Sequence, residues 1–323
     1  MPPLLLLALT LISLLWLTAF LFRAHSNLKR TQQRYHYLNL IQPLRQLFEH
    51  LPQHRGSANA LLQGDTSFKT KLDQLRQQID NDLHTLTPLF DAINDDTLQA
   101  KWTDIGDRWK ALRSTVTELS AAESFQHHTR LITKTTHLIG DVANQHLESS
   151  EGCETLHSTL SDILFNQLLF TIEFIARARD VGTAAASQQR LSTAHRVQLG
   201  FLHTKIEEST SLALKRLTPL LARHPQLATK RILLEESQQA AQRFANLLKS
   251  ELLDAPKIAI APNHYFDSGS AAIGKNLTLF DEILPTITDE VQRGEQRAHA
   301  QLKHTWLGTL LFIASLSGLW HYL

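Results

Sequence analysis

Cysteine is nearly absent. Cys153 stands alone in 323 residues, which excludes an intramolecular disulfide and any multi-cysteine metal centre and leaves only a bridge between chains. Glycine (12) and proline (10) are scarce while apolar residues make up 43%. A sheet with many tight turns is therefore disfavoured, and long helices are expected. An excess of either charge is missing too: the net charge is +1, so there is no bulk electrostatic case for a nucleic-acid partner. Catalytic signatures are also lacking. No glycine-rich phosphate loop follows a strand pattern, and neither a nucleophile elbow nor HExxH occurs; no enzymatic activity and no cofactor are expected. Histidine is plentiful (17). His50 and His54 have the i, i+4 spacing of metal ligands, but no metal motif accompanies them, and the histidines read as solvated or hydrogen-bonded.

What is present is helical periodicity interrupted by arginine. Ile41, Leu44, Phe48, Leu51, Arg55, Ala58 and Leu62 follow steps of three and four, the core-facing stripe of a bundle helix. A second stripe reads Phe165, Leu168, Ile172, Ile175, Arg179, Gly182, Ala186. In each an arginine occupies an apolar position with a glycine close behind. A buried guanidinium needs a counter-charge. Two in matched settings suggest a shared anion; the competing reading pairs each with a carboxylate. Glu49 and Glu173 lie six residues before the two arginines, a poor spacing for facing pairs on one helix, which leaves a carboxylate from another helix.

Leu4–Phe22 is uncharged, apolar or small throughout, and just long enough to span a bilayer. It lacks the basic start and cleavage site of a signal peptide. Trp306–Leu323 is a second, shorter run with tryptophans near both ends, in the manner of interfacial anchors; a tilted or in-plane position is an alternative. The reading is an all-α protein: an N-terminal transmembrane helix (1–25), a helical sensory domain (26–303) built as a long-helix up-and-down bundle of two similar halves, and a C-terminal transmembrane or membrane-associated helix (304–323). Arg23, Lys29, Arg30 and Arg34 follow the first run, and Arg293, Arg297 and Lys303 precede the second. The positive-inside rule then places the central domain in the cytoplasm of a bacterial inner (cell) membrane, although long domains also cross regardless of charge.

Within the domain, helices are expected to about Leu62, from Asp65 or Thr66 to about Leu86, to about Leu119, and over 121–147, 157–187, 191–223 and 226–253, with a last one from about Ser268. Ser149–Thr155 reads as a loop and 256–263 as irregular. Pro52 either kinks the first helix beside Arg55 or breaks it in two. Trp102 and Trp109 stand seven apart and share a core face.

These residues resemble a known family. His54-Arg55-Gly56-Ser57 with Leu61-Leu62-Gln63-Gly64-Asp65, then Ser124-Phe125, His128 and Leu131-Ile132, then Arg179-Asp180-Val181-Gly182-Thr183, then Tyr265-Phe266 ahead of Leu277 and Phe280 resemble the nitrate- and nitrite-sensing domain of bacterial receptors and of a nitrate-responsive transcription antiterminator. The resemblance covers about residues 38–295. It implies an all-helical bundle that binds a small anion, nitrate or nitrite, between two helices and signals by helix rearrangement to a protein partner. Helical receptors of this kind often form homodimers. The resemblance assigns ligand contact to Arg55 and Arg179. Arg196 is a further candidate by position. Gly56 and Gly182 would permit close approach, and Ser57 and Thr183 could add hydroxyl donors. Planar nitrate suits the planar donor fork of a guanidinium. Two features depart from the family pattern: Asp180 adds an acid beside Arg179, and neither a signalling module nor an RNA-binding module follows the last apolar run. The alternative reading is a membrane-anchored helical scaffold or assembly protein without a small-molecule ligand.

Overall fold

The structure, a computed structural model, describes residues 3–93, 95–146, 154–224 and 227–321, and its regular elements are all helical. Helix α1 (Pro3–Leu62) runs unbroken through Pro43 and Pro52, so no second helix starts at Pro52. Its stripe from Ile41 to Ala58 is buried on both sides of that proline, and packing along the stripe outweighs the one lost backbone donor. Asp65 then accepts from the backbone N–H of Ser67 at 3.1 Å and starts a 3₁₀ turn (Thr66–Phe68) that leads into α2 (Lys69–Asp91). Asp95 caps α3 (Asp96–Thr115) by accepting from the N–H of Leu98 at 3.0 Å. Helix α4 is Ala121–His146. Of the loop expected at Ser149–Thr155, residues 149–153, Cys153 among them, lie outside the described residues, as does Pro225, while Glu154 and Thr155 are helical.

The helix expected at 157–187 forms as α5 (Glu154–Ser161), a π-helical turn (Asp162–Leu168) and α6 (Leu169–Gln188). Its stripe from Phe165 to Ala186 is buried throughout. Ser192 caps α7 (Thr193–Arg223). Helix α8 (Ala228–Leu248) continues into a π-helical turn (Lys249–Leu253). Helix α9 (Pro262–His321) starts on a proline, which lacks only a donor the first turn would leave unused.

Residues 39–287 form one compact unit, and 1–38 with 288–323 another. In the larger unit α2 packs on α3 and α3 on α4, while α6 packs on α7 and α7 on α8. Trp102 stacks on Phe90 with ring centroids 4.7 Å apart, and both Trp102 and Trp109 are buried. A second core gathers Ile175, Leu202, Phe244, Leu248 and Tyr265 from α6 to α9. In the smaller unit, Ala24, Leu28, Ala298, Thr305 and Thr309 are buried, and the two threonines satisfy their hydroxyls on carbonyls one turn back.

Among the described residues, one helical stretch is long and apolar enough to cross a membrane, Ser158–Gln188. That stretch is 67% buried within its most apolar window; it is a core helix of the bundle.

Candidate functional site

Arg55 is wholly buried and bonded on three sides. Its Nε–H donates to Asp180 Oδ2 at 3.0 Å; Nη1 donates to Glu173 Oε1 at 2.6 Å and to Thr129 Oγ1 at 3.3 Å; Nη2 reaches Glu173 Oε2 at 3.3 Å. The guanidinium also lies over the Phe125 ring, 4.9 Å from its centroid. Burial alone would lower its pKa, but Glu173 and Asp180 outweigh that and hold it raised. Burial raises the pKa of Glu173 against the pull of Arg55. The carboxylates that answer Arg55 thus come from α6, across the helix interface.

Asp180 bridges the two arginines of the stripes. Its Oδ1 accepts from Nε of Arg179 at 3.1 Å and from Nη2 at 3.0 Å, while Oδ2 holds Arg55. Arg179 Nη1 donates to Ser270 Oγ at 3.2 Å, and its guanidinium carbon sits 4.6 Å from the centroid of the Phe266 ring. Three of its five N–H donors are used in these bonds, leaving one hydrogen on each Nη. Arg177 adds a third guanidinium. It interacts electrostatically with both Glu173 and Arg55, burial lowers its pKa, and its buried Nε has no partner among the described residues. Three guanidiniums against two carboxylates leave the cluster one positive charge in excess.

Beside this cluster α1, α6 and α9, with Phe68 and Lys71 at the start of α2, line a partly open cavity of about 970 Å³. Arg179, Asp180, Gly56, Ser57, Thr183 and Ser270 line it. Of the residues expected from the sequence, Gly56, Ser57, Arg179 and Thr183 therefore meet at one cavity. The other three are placed elsewhere. Arg55 sits behind Asp180, inside its ion pairs. Gly182 faces Tyr265: a Cβ there would lie 2.3 Å from the ring, so the glycine admits the tyrosine, whose hydroxyl donates to the Ala178 carbonyl at 3.1 Å. Arg196 donates to the carbonyl of Leu253, away from this cluster.

Behind Arg55 the chain buries two histidines against each other. His128 Nδ1 lies 2.7 Å from the Ser124 carbonyl oxygen, so it carries the proton and donates. Its Nε2 then accepts from His54 Nδ1 at 2.7 Å. Nε2 of His54 is buried without a partner among the described residues, and the ring meets Trp109 edge-on. Burial pushes His54 down to about 2 and His128 down to about 4, so both are neutral near pH 7. His50, one turn before His54, pairs with Asp82 at 2.6 Å.

Sequence reasoning missed Asp180 as a bridge, Arg177, and the α9 pair Phe266 and Ser270. Glu173 and Arg177 do carry a signal, an i, i+4 acid–base spacing on one helix. Phe266 belonged to a motif but offered no spacing that linked it to Arg179.

Comparison with known proteins agrees with this architecture. The profile of a family described as nitrate and nitrite sensing matches residues 46–292. A search of curated proteins returned no match. The solved structure of the NasR transcription antiterminator has the same fold, with a TM-score of 0.64 at 14% identity, covering 89% of this chain and 82% of that one.

Proposed function

This chain belongs to the nitrate and nitrite sensing family, and from that premise we propose that it is a membrane-anchored sensor that binds nitrate or nitrite at Arg179. In this reading the ion takes the two remaining Nη hydrogens of Arg179, with Ser57 and Thr183 as hydroxyl donors and Gly56 leaving room beside them. Arg55 does not touch the ion; it fixes Asp180. The observation that carries the reading is Asp180 held between both arginines. An ion on the remaining hydrogens of Arg179 shares that guanidinium's charge with Asp180 and repels its carboxylate, and Asp180 is tied to α1 through Arg55. Occupancy therefore biases how α1 packs on α6, which gives the ion different affinity for two packings, as any sensor requires. The cluster's one excess positive charge matches a monoanion.

The sensory domain is residues 26–303, a bundle of two similar halves with one arginine stripe in each. Residues 1–25 and 304–323 anchor it in the bacterial inner membrane, with the domain on the cytoplasmic side. The exposed Leu15, Trp16, Phe22, Trp306 and Leu311 support this, since side chains of that size on a helix surface suit lipid. The signal passes to a protein partner. A purely structural role for the buried ion pairs is favoured for Arg55 alone.

The test is calorimetry on the full chain in detergent, titrated with nitrate, nitrite and chloride at fixed ionic strength. Saturable nitrate or nitrite binding is expected, weakened roughly ten-fold or more by Arg179→Ala with the thermal melt preserved. Absence of saturable binding, or an Arg179→Ala chain that binds like the wild type, would remove the reading.

A further inference from the structure

The cavity is far larger than an inorganic monoanion can use. At about 30 Å³ per water, its volume of about 970 Å³ is that of roughly thirty waters, whereas nitrate has four heavy atoms. Cavities of roughly 300–1,000 Å³ are the sites of small organic ligands. The walls are also sorted along their length. On α6, Ile172 and Ala176 precede Arg179, Asp180 and Thr183; on α1, Phe48 and Pro52 precede Gly56 and Ser57; on α9, Ser270 precedes Ile273 and Leu277. On α6 and α9 the wall changes character at the level of Arg179, while on α1 Phe48 and Pro52 alternate with Glu49 and Gln53; Arg179 touches Ser270 directly, and its Nη2 lies 3.9 Å from where a Cβ on Gly56 would sit. Seven residues of helix rise about 10 Å, so the apolar chamber is about that long. Its polar groups answer each other: Glu49 is held by Arg45 and accepts from Gln53 Nε2 at 3.5 Å.

We infer that this cavity takes an organic monoanion: a carboxylate on Arg179 with an apolar body of about 10 Å lying between Phe48, Ile172, Ile273 and Leu277. The inference rests on Arg179 as the anion contact of the preceding reading, and extends the ligand class from inorganic ions to amphipathic acids that compete for the same guanidinium. Carboxylate and nitrate present the same flat oxygen pair to a guanidinium; only the acid fills the chamber. Asp180 sets the cost for either ligand, because both must share Arg179 with it.

The experiment is titration of the full chain in detergent with 3-phenylpropionate, with acetate as the head alone, 3-phenylpropanol as the body alone, nitrate as competitor, and detergent blanks subtracted. 3-Phenylpropionate is expected to bind roughly ten-fold or more tighter than acetate, to displace nitrate, and to lose binding in Arg179→Ala. Ile273→Phe, which fills the apolar end, should weaken it about ten-fold relative to nitrate; should that chain fail to fold, Leu277→Asn makes the same test by polarity. Phenylpropionate no tighter than acetate overturns the inference. Nitrate binding without phenylpropionate binding leaves the sensor reading and removes this one. Phenylpropionate binding without nitrate binding does the reverse, and neither binding removes both.

Discussion

Arg55 and Arg179 share Asp180, yet their removal has different consequences. Arg55→Ala leaves Glu173 buried without its bonded counter-charge and Asp180 with Arg179 alone, which costs about 3–5 kcal/mol for a broken buried pair. The expected result is a large fall in the urea midpoint of the full chain, or failure to fold; a loss below about 1 kcal/mol, the scale of a surface pair, contradicts the buried network. The histidine pair makes a prediction of opposite kind, about protons. An unfolded histidine titrates near 6.5, whereas His128 is held at about 4 and His54 at about 2 in the fold. Protonation therefore favours the unfolded chain. The pair's stabilisation is complete above about pH 6.5 and is lost as pH falls below it, at up to roughly 3 kcal/mol per unit while both sites gain protons only on unfolding. Urea midpoints at pH 7.5 and 5.5 should separate in the wild type and draw together in His54→Phe/His128→Leu. Equal separation in both chains assigns the acid sensitivity to other groups.

At the scale of the element, helix α6 ends on Gln189 in the left-handed region, φ 47°. That conformation costs an L side chain about 1–2 kcal/mol and suits glycine. Gln189→Gly should raise stability by about 1 kcal/mol despite the looser unfolded chain, read as a higher melting temperature; a lower one shows that the glutamine side chain contributes packing there. The helices themselves were largely legible. The stripes at Ile41–Ala58 and Phe165–Ala186 are buried as their spacing implied, because a 3.6-residue period has one physical solution in a core. The π-helical turns at Asp162–Leu168 and Lys249–Leu253 left no trace in the sequence. Inserting one residue into a helix is decided by neighbours such as Arg216, which bonds Asp162 from α7, and propensity is silent on that. Pro52 left a kink and a break equally open for a related reason: local chemistry counts one lost hydrogen bond, but the burial that keeps α1 continuous on either side of it is tertiary.

For the whole molecule, the proposed terminal anchors make a prediction. Full chain in native membranes is expected to stay in the pellet after alkaline carbonate extraction; release to the supernatant removes both terminal anchors. The site was half legible. The arginines announced themselves by standing in apolar stripes, but their partners did not, since Arg55 meets Glu173 across 118 positions and Arg179 meets Ser270 across 91. Spacing along one helix carries no information about which face of another helix it meets. That same separation bears on synthesis. Cavity walls come mainly from α1, α6 and α9, and Arg45 reaches Asp281 across 236 positions. A nascent chain that has released α1 and α6 from the ribosome already holds the arginine–carboxylate network, but Arg179 still lacks Phe266 and Ser270. The cavity is therefore completed late, with the first turns of α9, and translation products that stop short of it carry the charge cluster without the third wall. Long-range closure of this sort also slows folding, so the cavity depends on the contacts that form last.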